Sequence, residues 1–134
     1  MWDDSIENKV KINIQMTQDN ILTEKSIDFA IRMANCYKYL MDEKIEYIMS
    51  KQLFRSGTSI GANIHEGVQA QSKADFVSKL GIALKEASET SYWLVVLNKA
   101  KYIDERLYYS LKTDVDEIIR ILVASIKTTK KNMV

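Results

Sequence analysis

The chain lacks proline entirely and has only four glycines among its 134 residues, at positions 57, 61, 67 and 81. Proline and glycine are the residues that most often interrupt helices and form turns. Their scarcity argues against a chain built from many short elements and favours long helices. A length of 134 residues predicts one domain, since single cores usually contain about 100 to 200 residues.

Cysteine and long apolar runs are also scarce. Cys36 is the only cysteine, so no disulfide can form within the chain. The longest apolar run, YWLVVL at 92–97, is about a third of the roughly 20 residues that span a bilayer. The first residues, MWDDSIENKV, are acidic and lack the apolar segment of a signal peptide. We therefore expect a cytoplasmic protein without a membrane segment.

The chain also has no large excess of charge of one sign, because 19 basic and 18 acidic side chains leave a net charge of +1. The distribution is uneven. Residues 1–24 carry −3, whereas the remaining 110 residues carry +4. A monomer with this charge is a poor nucleic-acid binder, but a ring of copies would concentrate it. Composition alone leaves nucleic-acid binding open.

Apolar residues recur at helical spacing in three segments, 25–42, 73–101 and 105–129. The first segment has two apolar stripes, which predicts contacts on two sides. One stripe contains Ile27, Ala30, Ile31, Ala34, Tyr37 and Met41, and the other contains Phe29, Met33, Cys36 and Leu40. Ser72 and Asp104 are predicted to cap the helices that follow them.

With a further helix over the glycine-containing segment, the pattern predicts an all-α fold, an antiparallel up-and-down four-helix bundle at residues 21–130. An N-terminal arm at 1–20 and a basic tail at 131–134 flank the bundle. Residues 10–16 (VKINIQM) alternate strictly between apolar and polar, so we expect the arm to be extended or flexible. Such an arm is either unpaired or packs on another subunit.

The glycine-containing segment, LFRSGTSIGANIHEG at 53–67, does not match a phosphate-binding loop. Neither Gly57 nor Gly61 is followed by the lysine of such a loop, and the spacing of a dinucleotide fingerprint is missing. As a helix, the segment places Gly57, Gly61 and Gly67 near an apolar face. Each interior glycine costs a helix roughly 1 kcal/mol relative to alanine. We infer that the glycines permit close approach of a neighbouring helix.

A candidate interface lies on the next helix, opposite its core stripe. Ile82, Trp93 and Val96 form an apolar patch with two glutamates between them, and exposed apolar patches usually mark interfaces. Arg55 is predicted to pair with one of these glutamates, within or between subunits, while Asn63 and Glu66 orient neighbouring side chains. The candidate packing or interface residues are Arg55, Gly57, Gly61, Asn63, Glu66, Ile82, Glu86, Glu89, Trp93 and Val96.

Residues for catalysis or metal binding are few. Nucleophilic catalysis needs a cysteine or serine beside a histidine. The single histidine is His65, and Cys36 lies on an apolar helix where a small buried hydrophobic residue is expected. No Glu-x-x-His motif of a di-metal bundle occurs. We predict no enzyme activity, no metal, no cofactor and no small-molecule substrate.

Lysines near the C-terminus are the candidate nucleic-acid contacts. The last residues, KTTKKNMV, place Lys127, Lys130 and Lys131 on what we expect to be a loose cationic end. An oligomer would repeat these lysines and strengthen contacts with phosphates.

Two stretches carry a specific resemblance to a known family. RSGTSIGANI at 55–64 and ALKEASETSYWL at 83–94, with NILTEKSIDFAIRMANCYKYL before them, resemble the four-helix-bundle proteins known as 23S-rRNA intervening-sequence proteins. The resemblance covers about residues 20 to 125. It implies a bacterial four-helix protomer that assembles as a homopentamer. It extends to the accessory variability proteins of diversity-generating retroelements, which bind nucleic acid and a reverse transcriptase.

This chain departs from the family pattern at two points. His65 stands where alanine or glutamate is more common, and the chain is nearly neutral, whereas the retroelement branch is strongly basic. The resemblance and the residues together favour a non-catalytic oligomeric assembly or adaptor protein. The alternative is a nucleic-acid-binding accessory protein whose partner is RNA, DNA or a nucleic-acid enzyme.

Overall fold

The computed structural model describes residues 4–133, without the side chains of residues 4, 11, 12 and 14–16. Four helices make up the fold and no strand occurs in this range, so the predicted all-α four-helix fold is confirmed. The helices are α1 (Asp4–Asp42), α2 (Met49–Val68), α3 (Lys73–Lys99) and α4 (Glu105–Lys131).

Each helix packs on two neighbours, and consecutive helices run antiparallel. α1 contacts α2 and α4, and α3 contacts the same two helices, so α1 and α3 occupy diagonal corners of the bundle. Met33 of α1 faces Gly57 of α2, whereas Ser26, earlier in α1, faces Gly61, later in α2. This opposite order is the mark of antiparallel packing.

The core follows the apolar stripes predicted from the sequence. Every helix contributes fully buried aliphatic or aromatic side chains, and Phe29, Met33, Leu40, Leu53, Ile60, Leu80, Leu94, Leu111 and Leu122 are among them. Val115 and Ile118 are also buried, in agreement with the helical spacing of apolar residues over 105–129. Within residues 4–133, no helix is long and apolar enough to cross a membrane.

One side chain caps the N-terminus of each of the last three helices. Ser72 accepts a hydrogen bond from the N–H of Asp75 at 3.1 Å, and Asp104 accepts one from the N–H of Leu107 at 2.8 Å. Both predicted caps are therefore confirmed. The start of α2 depends on Glu46, a residue that the sequence pattern did not single out.

The Glu46 carboxylate accepts hydrogen bonds from the N–H groups of Ile48, Met49 and Ser50, at 2.9, 2.9 and 2.6 Å. Burial of this side chain opposes ionisation. The three backbone N–H donors and the Ser50 hydroxyl outweigh that effect and lower the pKa of Glu46 below its ordinary value. A buried carboxylate thus supplies the cap that α2 otherwise lacks.

The structure differs from an extended conformation at residues 4–20 of the predicted arm, which continue α1 without a break; residues 1–3 of the arm lie outside the described residues. A strand at 10–16 would have no partner strand in this helical fold, so its backbone groups would lack hydrogen bonds. A helix satisfies those groups locally. With 39 residues, α1 is about 58 Å long, against about 30 Å for the 20 residues of α2. Its first turns, with residues 5–10 exposed, extend past the bundle.

The connections between helices contain two strained residues. Ile45 and Lys101 have φ values of 52° and 67°, in the left-handed region that glycine adopts most easily. Ile45 belongs to the α1–α2 connection and Lys101 to the α3–α4 connection. Both therefore lie at the same end of the bundle.

Candidate interaction surface

The glycines of α2 lie where neighbouring helices approach closely. A Cβ atom at Gly57 would come within 2.6 Å of Met33 Sδ in α1, and one at Gly61 within 3.3 Å of Ser26 Oγ. At Gly67, a Cβ atom would come within 2.8 Å of Leu80 Cδ1 in α3. The three glycines therefore provide space for helices of the same chain rather than for another subunit.

A buried polar contact joins α2 to α3 beside these glycines. The hydroxyl oxygens of Ser56 and Thr90 are 3.0 Å apart, and neither side chain is exposed. Thr90 also donates to the carbonyl of Glu86 at 2.8 Å. These small polar side chains extend the tightly packed α2–α3 interface that Gly67 begins.

Salt bridges also join α2 to α3 at the solvent-exposed edge of the same interface. Arg55 Nη2 lies 2.5 Å from Glu89 Oε2, and Arg55 Nη1 lies 3.7 Å from Glu86 Oε2. The Lys79 ammonium lies 2.8 Å from the Glu66 carboxylate and, through this hydrogen bond and its charge, lowers the pKa of Glu66. All three ion pairs connect α2 to α3 within one chain.

Asn63 makes a different contact from the one expected. Its amide nitrogen donates to the carbonyl of Ser59 at 2.9 Å, one turn earlier in α2. The side chain therefore interacts with its own helix.

Trp93 is half-buried, whereas the sequence analysis placed it in an exposed apolar patch. Its ring packs against the hydrophobic core and meets the ring of Tyr92 edge-on, with centroids 5.0 Å apart. Ile82 remains 40% exposed and Val96 is half-buried. Trp93 Nε1 and Glu86 Oε2 are buried without a hydrogen-bond partner in the described part of the chain. Buried polar atoms without partners are uncommon and call for an explanation.

The predicted α1 stripe that contains Ile27 and Ile31 lies on the outer side of the helix, where these two isoleucines are exposed and its other four members are half-buried. Ile27 and Ile31 are 54% and 56% exposed, although they lie within the bundle region. The stripe continues toward the N-terminus, where Ile21, Val10 and Ile6 are also exposed. One side of α1 thus packs in the core while the opposite side presents aliphatic side chains to solvent.

The C-terminal lysines lie on a helix rather than on a loose end, because α4 continues through Lys131. Lys127, Lys130 and Lys131 are exposed, and none forms a salt bridge with the described residues. Lys127 and Lys131 are one turn apart, and the exposed Arg120 lies two turns before Lys127. Helical placement thus aligns these cations along one face.

A groove that the sequence analysis missed lies at the end of the bundle that carries Ile45 and Lys101. It has a volume of about 600 Å³ and is bordered by Tyr39 and Lys44 on one side and by Lys99, Lys101 and Tyr102 on the other. These residues are distant in sequence. Only the run Lys99-Ala100-Lys101-Tyr102, at a helix end, hinted at it.

Nucleophilic groups are poorly placed for chemistry. Cys36 is buried, and burial raises the pKa of its thiol to about 11 despite the opposing charge of Arg32. The exposed His65 lies beside Gln69, with the two Nε2 atoms 3.4 Å apart. Among the described residues, no group of three or more histidine, cysteine or acidic side chains is arranged to hold a metal ion.

Comparison with known proteins gives one family and a similar solved structure. The family model described as 23S rRNA-intervening sequence protein matches residues 18–124. A crystal structure of a protein with unknown function from the S23 ribosomal protein family of Bacteroides thetaiotaomicron is 54% identical to this chain, with a TM-score of 0.81. That match covers 82% of this chain and 98% of the other. A search of curated proteins found no match.

Proposed function

Because this chain belongs to the family of 23S rRNA-intervening sequence proteins, we propose that it is a non-catalytic helical module that assembles from identical copies. By the resemblance, the assembly is a homopentamer. Its role would be to present a repeated surface to a partner. Neither matched description names a catalytic activity.

The observation that carries this proposal is the exposure of Ile27 and Ile31 on the outer side of α1. Two isoleucines one turn apart, each more than half exposed, form an aliphatic surface whose hydration is unfavourable in an isolated chain. Burial of such side chains against a second copy would contribute favourable free energy of about 25 cal/mol per Å².

The second apolar surface, around Ile82 and Trp93, lies on α3. Since α1 and α3 occupy diagonal corners, their outer faces point to opposite sides of the bundle. The α1 face of one copy can therefore pack on the α3 face of the next copy, as a head-to-tail contact. Repeated contacts of this kind form a closed ring when the rotations between successive copies add up to a full turn.

The test is the mass of the full chain in solution, measured by sedimentation velocity. We expect an oligomer for the wild type and a single chain for the Ile27→Glu/Ile31→Glu variant. Ile82→Glu tests the α3 face more cleanly than a change at Trp93, whose ring also packs in the core. Tyr109→Glu is the matched control, since Tyr109 is 64% exposed on α4. A monomeric wild type, or unchanged mass in both Ile variants, contradicts the proposal.

A second candidate function is nucleic-acid binding by the outer face of α4. The alignment of Lys127 and Lys131 with Arg120 favours it, because each cation can contact a phosphate. Replacement of Lys127, Lys130 and Lys131 by alanine would then abolish retention on RNA at physiological salt. No binding of RNA to the wild type at low salt contradicts this candidate.

A further inference from the structure

The groove at the α3–α4 end of the bundle has the size of a small-molecule site. Its volume of about 600 Å³ lies within the roughly 300 to 1,000 Å³ typical of ligand sites. It is formed within one chain, by the ends of α1 and α3 and the start of α4. The groove is therefore complete in a single chain and needs no assembly.

The available charge in the groove is positive. Lys44, Lys99 and Lys101 border it, and none of them forms a salt bridge with the residues that the structure describes. Two carboxylates share the rim, but Asp104 caps α4 through the N–H of Leu107 and Glu105 lies in the first turn. Their charges are stabilised by the positive end of the helix dipole. The three lysines outnumber these two carboxylates, so the side chains that border the groove carry a formal net charge of +1.

Aromatic rings accompany these cations. Tyr39 is 38% exposed, and the Lys44 ammonium lies 5.9 Å from the centroid of its ring. Tyr102 is half-buried, packs against the core and borders the opposite side of the groove. Tyrosine rings beside lysines are the combination that binds a planar base and its phosphate. An acidic peptide would contact only the lysines and would leave the tyrosine rings unused.

The backbone of Lys101 is strained, so its ammonium group is placed beside the groove at a conformational cost. Its φ of 67° belongs to the left-handed region, where glycine carries no steric penalty and other residues lose roughly 1 kcal/mol or more. Strained residues of this kind concentrate at functional sites. The turn would form more easily with glycine, but glycine would leave the groove without this ammonium group.

We propose that this groove binds a nucleoside phosphate, either as a free nucleotide or as part of a single-stranded nucleic acid. The base stacks on Tyr39 or Tyr102, and the phosphate contacts Lys44, Lys99 and Lys101. The site lies at the opposite end of the bundle from Lys127, Lys130 and Lys131. It is therefore separate from the α4 cations considered above.

The experiment titrates the full-length protein with ADP, inorganic pyrophosphate and adenosine by calorimetry, and with a labelled single-stranded oligoadenylate by fluorescence anisotropy. ADP is expected to bind more tightly than pyrophosphate or adenosine, because only ADP engages both the rings and the lysines. Oligoadenylate that binds more tightly than ADP identifies the strand as the source. ADP that binds at least as tightly identifies the free nucleotide.

Lys101→Gly is the decisive variant, because it removes the ammonium group while it relieves the backbone strain. We expect its melting temperature to equal or exceed that of the wild type, and its affinity for ADP to fall about tenfold. Tyr102→Leu keeps an apolar side chain against the core and is expected to weaken ADP binding by about tenfold through loss of stacking.

Two controls separate this site from surface charge in general. Lys85→Ala removes an exposed lysine about 20 Å along α3, and the triple alanine variant of Lys127, Lys130 and Lys131 removes the α4 cations. ADP affinity is expected to be unchanged in both. The proposal is overturned if ADP and oligoadenylate fail to bind at low salt, or if Lys101→Gly binds like the wild type. Equal binding of an oligoglutamate peptide also overturns it, in favour of an acidic protein partner.

Discussion

Gly57 of α2 lies directly against Met33 of α1, so closely that a Cβ atom at position 57 would overlap Met33 Cγ. Met33 is fully buried, and its Cγ is not the mobile end of the side chain. The distance between α1 and α2 therefore depends on the absence of one methyl group. This relationship explains why a helix without an evident phosphate site retains glycine.

We expect Gly57→Ala to lower the free energy of unfolding by about 1 kcal/mol. Overpacking a core costs about 1 to 3 kcal/mol, and the higher helix propensity of alanine offsets about 1 kcal/mol of that cost. Urea unfolding followed by far-UV circular dichroism measures the change. A stability equal to or above that of the wild type would show that Met33 moves aside without cost.

Gly81→Ala is the matched substitution with the opposite expected sign. Apart from the glycine, its two chain neighbours and the nearby helix backbone, no atom of the described residues lies within 4 Å of the position where a Cβ would be added at Gly81, in the interior of α3. Helix propensity alone then applies, so the free energy of unfolding should rise by up to about 1 kcal/mol. The same urea titration tests it, and destabilisation would reveal a neighbour that this single chain does not provide.

The Glu46 cap predicts how stability depends on pH. Its pKa in the folded state is lower than its ordinary value of 4.5. Its contribution is therefore fully present above about pH 4.5 and is lost as the pH falls through the folded-state pKa. At neutral pH, we expect Glu46→Gln to lower the free energy of unfolding by about 1 to 2 kcal/mol.

The measurement compares the urea midpoints of the wild type and Glu46→Gln between neutral pH and pH 3. The difference between the two proteins should shrink as the pH falls. Glu43→Gln, three residues earlier and exposed, is the control and should follow the wild type. A difference that stays constant with pH would mean that the Glu46 carboxylate is not ionised in the fold.

Cys36 is expected to resist thiol reagents in the folded protein. The rise of its pKa from 9.0 to about 11 lowers the thiolate fraction at pH 8 about a hundredfold. Burial also blocks access, so modification requires opening of the fold. Reaction with a chromogenic disulfide should be slow in buffer and fast in concentrated urea. Fast reaction without urea would place α1 in a more open arrangement.

Much of the bundle could be predicted from the sequence, because burial in helices leaves a periodic signal. The stripe of Leu111, Val115, Ile118 and Leu122 on α4 is one example, and all four residues are buried. Ser72 and Asp104 were predictable for a different reason. Each side chain accepts a hydrogen bond from a backbone N–H three residues later, so the signal is local.

The features that were predicted wrongly or missed are those that depend on residues distant in sequence. Alternation at residues 10–16 indicates a strand, but a strand needs a partner that this fold does not offer, and the helix forms instead. Glu46 was missed because it caps α2 from outside the first turn, through a connection whose path the sequence does not give. The groove beside Tyr39 and Tyr102 was missed because its two sides lie about sixty residues apart.

The length of α1 has a thermodynamic consequence. Its first turns, which carry the exposed Ile6 and Val10, have few contacts with the bundle, and short helices without tertiary contacts are marginally stable in water. Helix formation there is consequently linked to the association of any molecule that covers these side chains. Such a molecule would slow amide hydrogen exchange progressively toward the N-terminus. Its binding enthalpy would then include the enthalpy of helix formation.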